Sequence, residues 1–487
     1  MDLEGGTVKT PSPDTYRNYI QEMPVLPFKP VESFYGQQRA FRFEADVHDC
    51  EVVGTVPAVL NGTLYRVGPD SYFPTMDGDV IVNGDGIISA FTFSNGHVGF
   101  RCRYVKTERH LRERAARERL YGKYRNKFTD HPSVADTDRD NTANTAAFFH
   151  HGQLFALRED SYPTLVDPDT LDTLEAFDFD GALESQTLTA HPKVDPVTGE
   201  WWSFSLFAHK QYEGEMSLCV ADRNGKLIRQ ESFKAPFPGL AHDFSVTRDH
   251  VIFPIMPLTV DRDRLAAGGD FYALDRKLNP VYGIMPRDGT VADLRWFEVP
   301  RAFIGHTMNA WSEGSLVHVD GTVAPGNSFR FFKDTEGQET DPALGFATMT
   351  RLTFDLSSAN DHVEITPFAG TIGEMPRIDD RYQMQKYRYG FGKSRDGIMR
   401  LDWDTGELQI HPTPDSPGGP QEPIFVPRSS DAPEGDGYLL ALVNRLSENR
   451  ADLVIVDTQD MTGPPVATVR LPFNQPMAFH GTFVPRR

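Results

Sequence analysis

The chain has 487 residues, with 49 Lys and Arg against 69 Asp and Glu, for a formal net charge of −20 at pH 7. So acidic a surface excludes the basic footprint that nucleic-acid phosphates or anionic lipids require. Three cysteines without a CxxC pair exclude a cysteine-built zinc or iron–sulfur site and suit a reducing compartment.

Residues 1–40 are Pro-rich with apolar anchors at Phe28 and Tyr35, and read as a tail wrapping the domain that follows. The opening MDLEGGTVKTPSPDTY has no basic start and no apolar run, so no signal peptide is expected there. No stretch approaches the roughly 18 apolar residues of a spanning helix. A cytoplasmic protein without stable membrane insertion is the expectation. Strand signals dominate from there on. Runs 87–93 and 99–105 flank Ser94-Asn95-Gly96, and runs 217–221 and 227–233 flank Arg223-Asn224-Gly225, both hairpin signatures. Turn sequences recur at 167–170, 195–200, 402–407 and 457–460, and short apolar runs at 251–256, 316–319 and 439–443 suit buried strands. One helix is predicted over 107–122, with Leu111, Ala115 and Leu120 as its apolar residues and a solvated charged face. Many short strands with regular turns predict an all-β propeller, although no fixed repeat sets the blade number.

Four of the 15 histidines have distinctive settings: Thr-Ala-His191-Pro, Ala-His242-Asp-Phe, His306-Thr-Met-Asn-Ala-Trp and Phe-His480-Gly. Each lies at a strand start or beside a turn. Their gaps of 51, 64 and 174 residues rule out the i, i+4 spacing of a helical zinc site. The first two gaps each approximate one blade and the third about three, so residues far apart in sequence can meet on a propeller axis. Four neutral imidazoles suit Fe(II) with positions left open, whereas zinc favours a closed tetrahedron or three ligands and water. Ligand histidines need partners on their second nitrogen, and Glu159, Glu374 and Glu422 stand in comparably unusual settings.

The sequence resembles the carotenoid cleavage oxygenases, and within them the branch of lignostilbene dioxygenases and isoeugenol monooxygenases. The motifs that carry the resemblance include GTVPAVLNGTLYRVGPD (54–70), NGDGIISAF (83–91), YRNKFTDHPSV (124–134), TAHPKVDPVTGE (189–200), HDFSVT (242–247), HTMNAW (306–311), GEMPRID (373–379), QEPIFVPR (421–428) and FHG (479–481). The resemblance implies a seven-bladed β-propeller over 41–487 as a single catalytic domain, capped by loops and short helices. It implies one Fe(II) held by His191, His242, His306 and His480, with Glu159, Glu374 and Glu422 behind them and Thr145 beside an open position. It implies cleavage of the C=C bond of a hydroxylated stilbene or phenylpropene by O2 to aromatic aldehydes. No organic cofactor is expected, in keeping with the lack of a complete GxGxxG, Walker A or GxSxG motif. The partner is a small phenolic alkene, and a homodimer is possible within the family.

In the stilbene-cleaving branch a tyrosine and a lysine grip the substrate hydroxyl. The tyrosine falls on Tyr124, but the lysine position holds Arg158, which stays cationic and prefers two-pronged anions. Arg158 therefore pairs with a substrate phenolate or carboxylate, or with a neighbouring acid such as Asp160. Relatives often place phenylalanine before the third histidine, where this chain has Gly305, and a bulky residue where it has Ile81. Both changes could widen the cavity, or neighbouring aromatics could repack. Phe253-Pro254-Ile255-Met256-Pro257 reads as a core strand end or a tunnel lining. Competing readings are an apocarotenoid oxygenase of the same fold, a non-catalytic binding scaffold, and a hydrolase using Ser245 with His242.

Overall fold

Asn95 and Gly96 both take positive φ, 52° and 84°, and Ser94 pairs with His97 across them. Such two-residue turns match the right-handed twist of the strands they join. The same logic of a short strand, a tight turn and an antiparallel return repeats along the chain. The computed structural model describes residues 40–486 except 136, 138–140 and 417. The tail read over 1–40 lies outside the described residues except for Ala40.

The repeated meanders build a seven-bladed β-propeller. Taken in ring order, the inner strands of the blades are His480–Pro485, Ala146–His150, Lys193–Val194, Ser245–Val246, Phe303–Glu313, Glu374–Ile378 and Ile424–Pro427. Three further strands complete each of blades two to six, and blade seven gains a fourth from the N-terminal side. Blades one and two join through a single parallel pairing, His480 with Ala146.

Both ends of the chain close the ring. Strand Glu51–Gly54 pairs with Ala467–Leu471 on the outside of blade seven. Strand His480–Pro485 pairs with Gly62–Asp70 and becomes the inner strand of blade one. The core lies between blades: Leu64, Phe91 and Phe100 of blade one pack with Ile424, Leu440 and Leu453 of blade seven. Phe204, Phe253 and Val319 belong to a larger cluster spanning blades three to five. Facing sheets with alternating inward side chains bury apolar surface in this way.

The predicted helix is shorter, Glu108–Ala116. It also buries a different face: Arg109, His110, Arg112 and Glu113 are buried, while Leu111 is 52% exposed. Polar partners decide this. Arg109 Nη1 donates to Asn83 Oδ1 at 2.9 Å, and Glu113 Oε1 accepts the backbone N–H groups of Leu120 and Tyr121, each at 3.0 Å. The charged face therefore anchors the cap, and the expectation of a solvated one is corrected.

Gly481 sits in the closing strand, where a Cβ would stand 2.5 Å from the Tyr65 carbonyl oxygen. Gly481→Val should therefore loosen ring closure and cost about 1–3 kcal/mol or more, read as a lowered melting temperature in calorimetry. An unchanged transition would contradict closure through this strand.

Candidate metal centre

The inner strands all present the same end to one point on the axis, and each blade delivers one residue there. His480 begins its strand, and Thr145 directly precedes Ala146. His191 lies two residues before Lys193–Val194 and His242 three before Ser245–Val246. His306 lies within Phe303–Glu313, where the pairing shifts register between Ile304 and Thr307. Such a bulge re-aims a side chain. Glu374 begins its strand, and Glu422 precedes Ile424–Pro427 by two residues.

The four histidines singled out from the sequence come together, each offering a ring nitrogen, with all four atoms within 4.8 Å of one another. His191 Nε2 and His242 Nε2 are 3.1 Å apart, and His242 Nε2 and His306 Nε2 3.2 Å. Four inward-facing nitrogens cannot all be donors. Nitrogens about 2.1 Å from one ion and at right angles to each other would be about 3 Å apart. The donor set thus fits a single metal cation.

The glutamates lie behind the rings. His242 Nδ1 bonds Glu159 Oε2 at 2.9 Å, His306 Nδ1 bonds Glu374 Oε2 at 2.8 Å, and His480 Nδ1 bonds Glu422 Oε1 at 2.9 Å. A carboxylate on Nδ1 fixes the tautomer that leaves the Nε2 lone pair facing inward. His191 is held from its backbone, whose N–H donates to Thr189 Oγ1 at 3.0 Å.

Burial holds His191 well below the ordinary imidazole value, and the three neighbouring rings add to the effect. Burial likewise lowers His480, outweighing Glu422. Burial acts against the charged form of His306 too, but there the Glu374 carboxylate prevails and the value rises. Burial pushes Glu159, Glu374 and Glu422 upward, but their ring partners and other neighbours bring each below the usual carboxylate value.

A cavity of about 260 Å³ opens on this cluster, reaching His242, His306 and His480. Its walls are largely aromatic, with Tyr272, Phe329, Phe331, Phe332 and Phe479. Tyr124, Thr145, Arg158 and Glu159 line it as well. Tyr124 Oη donates to Glu159 Oε1 at 3.2 Å. Thr145 Oγ1 donates to Asn144 Oδ1 at 3.1 Å.

Arg158 is 4% exposed, and the salt bridge weighed for it is present. Its Nε pairs with Asp160 Oδ1 at 3.2 Å. Its Nη1 donates to Val82 O and Asn144 Oδ1, both at 3.0 Å, and to Thr142 Oγ1. The guanidinium also stacks 5.1 Å from the centre of the Tyr124 ring. Among the described residues, its Nη2 donates no hydrogen bond to the protein, and the side chain lines the cavity.

Other expectations are corrected. Gly305 is not on the cavity wall: a Cβ there would stand 2.8 Å from Glu374 Oε1 and 3.2 Å from Thr322 Oγ1. Its small size makes room for the carboxylate behind His306, not for substrate. Val82 lines the cavity in place of its neighbour Ile81. Phe253 and Ile255 are fully packed core, as the strand-end reading of that segment expected. Among the described residues Ser245 Oγ is buried without a partner, and both His242 nitrogens face elsewhere, which removes the hydrolytic pairing. The sequence reading missed Phe329, Phe331 and Phe332, although three phenylalanines in the NSFRFF segment (327–332) were a visible signal. It also missed Lys393, which has no such signal.

The family described as retinal pigment epithelial membrane protein matches residues 38–485. Isoeugenol monooxygenase of Pseudomonas nitroreducens is 40% identical over 462 residues, covering 91% of this chain and 96% of the relative. The crystal structure of Pseudomonas brassicacearum lignostilbene dioxygenase superposes with a TM-score of 0.90 at 39% identity, covering 95% of this chain and 100% of that one. A cobalt-substituted Synechocystis apocarotenoid oxygenase gives a TM-score of 0.80 at 27% identity, covering 93% and 98%.

The cluster should take up one divalent cation per chain. Glu422→Gln, which removes the charge behind His480, should weaken that uptake about 10–100-fold, measured by competition with a chromophoric chelator. Undiminished affinity would contradict a supporting role for the carboxylate.

Proposed function

The chain belongs to the carotenoid cleavage oxygenase family, and from that premise we propose an Fe(II)-dependent dioxygenase that cleaves the C=C bond of a hydroxylated stilbene or phenylpropene to aromatic aldehydes. The observation that carries this reading is the convergence of four histidine nitrogens beside a cavity walled by aromatic rings. In this reading residues 41–487 act as one catalytic domain, because strands from both ends of the chain close the same ring.

An Fe(II) ion held by His191, His242, His306 and His480 would supply the one-electron chemistry that lets O2 react with a closed-shell alkene. The balance is simple: one C=C bond and one O2 give two C=O groups. The alkene carbons supply the electrons, so no reductant is required. The protein's own work is to exclude water, hold the alkene and adjust the phenol.

Aromatic walls favour a ring-bearing substrate through offset or edge contacts. The cavity lies just below the usual range for ligand pockets, about 300–1,000 Å³. That size suits one or two rings better than a long polyene.

The polar end handles the hydroxyl. Tyr124 already donates to Glu159, so its oxygen can accept from a substrate phenol. The phenolic proton then has a path of two hydrogen bonds, to Tyr124 and on to Glu159. Burial raises the pKa of Tyr124 far above that of free tyrosine, and Glu159 adds to the shift. Tyr124 therefore stays protonated and acts as a relay. Arg158, which also lines the cavity, would donate to the same oxygen through Nη2 and stabilise negative charge on it, making the conjugated alkene more electron-rich.

Two experiments test this. Iron-loaded protein should consume O2 with resveratrol or isoeugenol and give aldehydes by mass spectrometry, and an apocarotenal should give neither. Turnover of the apocarotenal alone would overturn the substrate class. Hydrogen bonds to charged groups contribute about 1.5–3 kcal/mol. Arg158→Ala should therefore lower kcat/KM for a 4-hydroxystilbene about 10–100-fold, with a smaller loss for its 4-methoxy analogue. Equal losses would contradict a role at the hydroxyl.

A further inference from the structure

A second tyrosine hydroxyl stands at the phenol end of the cavity. Tyr272 directly precedes strand Ala273–Leu274 and is fully buried. Its ring meets Phe271 edge-on at 4.8 Å and Phe332 at 5.3 Å between centres. It lines the cavity along with Tyr124, Arg158 and Glu159.

Arg125 fixes the role of this hydroxyl. Its Nη1 donates to Tyr272 Oη at 3.1 Å. The guanidinium is itself held in place: Nε pairs with Asp160 Oδ2 at 3.1 Å, and the group stacks 4.3 Å from the centre of the Phe271 ring. The same Nη1 lies 3.8 Å from Glu159 Oε1, which accepts from Tyr124 Oη at 3.2 Å. The two tyrosine oxygens therefore flank one guanidinium–carboxylate pair, yet their protons are committed differently. Tyr124 gives its proton to Glu159 and keeps a lone pair to offer. Tyr272 gives a lone pair to Arg125, and among the described residues its O–H finds no acceptor. Burial raises this phenol well above its ordinary value against the opposing effect of Arg125, so the proton stays in place. A hydroxyl that accepts from a cation still has one donor to place, and a buried donor left unpaired is costly.

The Tyr124 and Tyr272 rings are 6.5 Å apart between centres, so together they offer an acceptor and a donor to one substrate ring. A phenol with an ether oxygen on the adjacent ring carbon presents the complementary pair: its hydroxyl donates, and its ether can only accept. Resting on the alkene-cleaving reading, we propose that Tyr272 is a specificity residue that donates a hydrogen bond to an ether oxygen ortho to the substrate hydroxyl. Arg125 is the positioning residue that leaves the Tyr272 proton free for it. The preferred substrate ring is then an ortho-alkoxyphenol, and an unsubstituted 4-hydroxyphenyl ring leaves the donor unpaired.

The test compares 3-methoxy-4-hydroxystilbene with 3-ethyl-4-hydroxystilbene, which match in size and differ in the acceptor. Kd is measured anaerobically on iron-loaded protein by fluorescence quenching, and kcat/KM by O2 uptake. The wild type should bind the methoxy compound about 3–10-fold more tightly, the scale of one neutral hydrogen bond. Tyr272→Phe keeps the ring and removes the donor. It should bring the methoxy-to-ethyl ratio of Kd to one and shrink the ratio of kcat/KM by the same factor. Metal uptake equal to the wild type shows that the variant is folded, and the wild-type ratio stands as a test without it. A wild type that binds both compounds equally, or a ratio unchanged in Tyr272→Phe, would overturn the proposal. A methoxy preference in Kd that Tyr272→Phe abolishes, without O2 uptake from either compound, would support the Tyr272 contact while removing the reaction assigned to the cavity.

Discussion

Three carboxylate–imidazole hydrogen bonds carry the architecture of the centre. Each links a ring to a glutamate far away in sequence: Glu159 with His242, Glu374 with His306, and Glu422 with His480, separated by 83, 68 and 58 residues. A free imidazole can turn either nitrogen inward. Bonded through Nδ1 to a buried carboxylate, it can offer only the Nε2 lone pair. Burying three carboxylates is costly unless their partners are well placed, so the local backbone is shaped to place them. The register shift around Gly305 and His306 and the left-handed Met375, at φ 56°, are local irregularities serving that end.

One of these carboxylates joins the cavity wall to the histidine cluster. Glu159 bonds His242 through Oε2 and accepts from Tyr124 through Oε1. A change at Tyr124 is therefore two hydrogen bonds from the His242 ring. Two guanidiniums and two carboxylates, Arg125, Arg158, Glu159 and Asp160, balance one another there. Arg125 Nε lies 3.1 Å from Asp160 Oδ2, and Arg158 Nε lies 3.2 Å from Asp160 Oδ1. Arginine suits this place because its planar fork can hold Asp160, Asn144 and Val82 while, among the described residues, Nη2 makes no hydrogen bond to the protein. A lysine could not make all those contacts from a single nitrogen.

Much of this was legible in the sequence because it depends on local rules. Asn95-Gly96 fixes its hairpin by backbone preference alone. The gaps of 51 and 64 residues between His191, His242 and His306 place consecutive candidate ligands in consecutive blades, and the gap of 174 returns His480 to the closing strand. What escaped depends on partners distant in sequence. The helix Glu108–Ala116 buries its charges because Asn83 and the Leu120–Tyr121 backbone receive them, which no periodicity can reveal. Gly305 read as an opening for substrate or a site of aromatic repacking, but Glu374, 69 residues later, takes the space. Lys393 carries no motif, and only the arrangement of the ring brings it into the same cavity as Arg158.

The central claim is that four histidines hold one metal ion on the propeller axis. Anomalous diffraction at the iron edge, on crystals of iron-loaded protein, tests it most directly. The account predicts one strong peak per chain, enclosed by the Nε2 atoms of His191, His242, His306 and His480. A peak elsewhere, or none in protein whose solution iron content is one per chain, would contradict it.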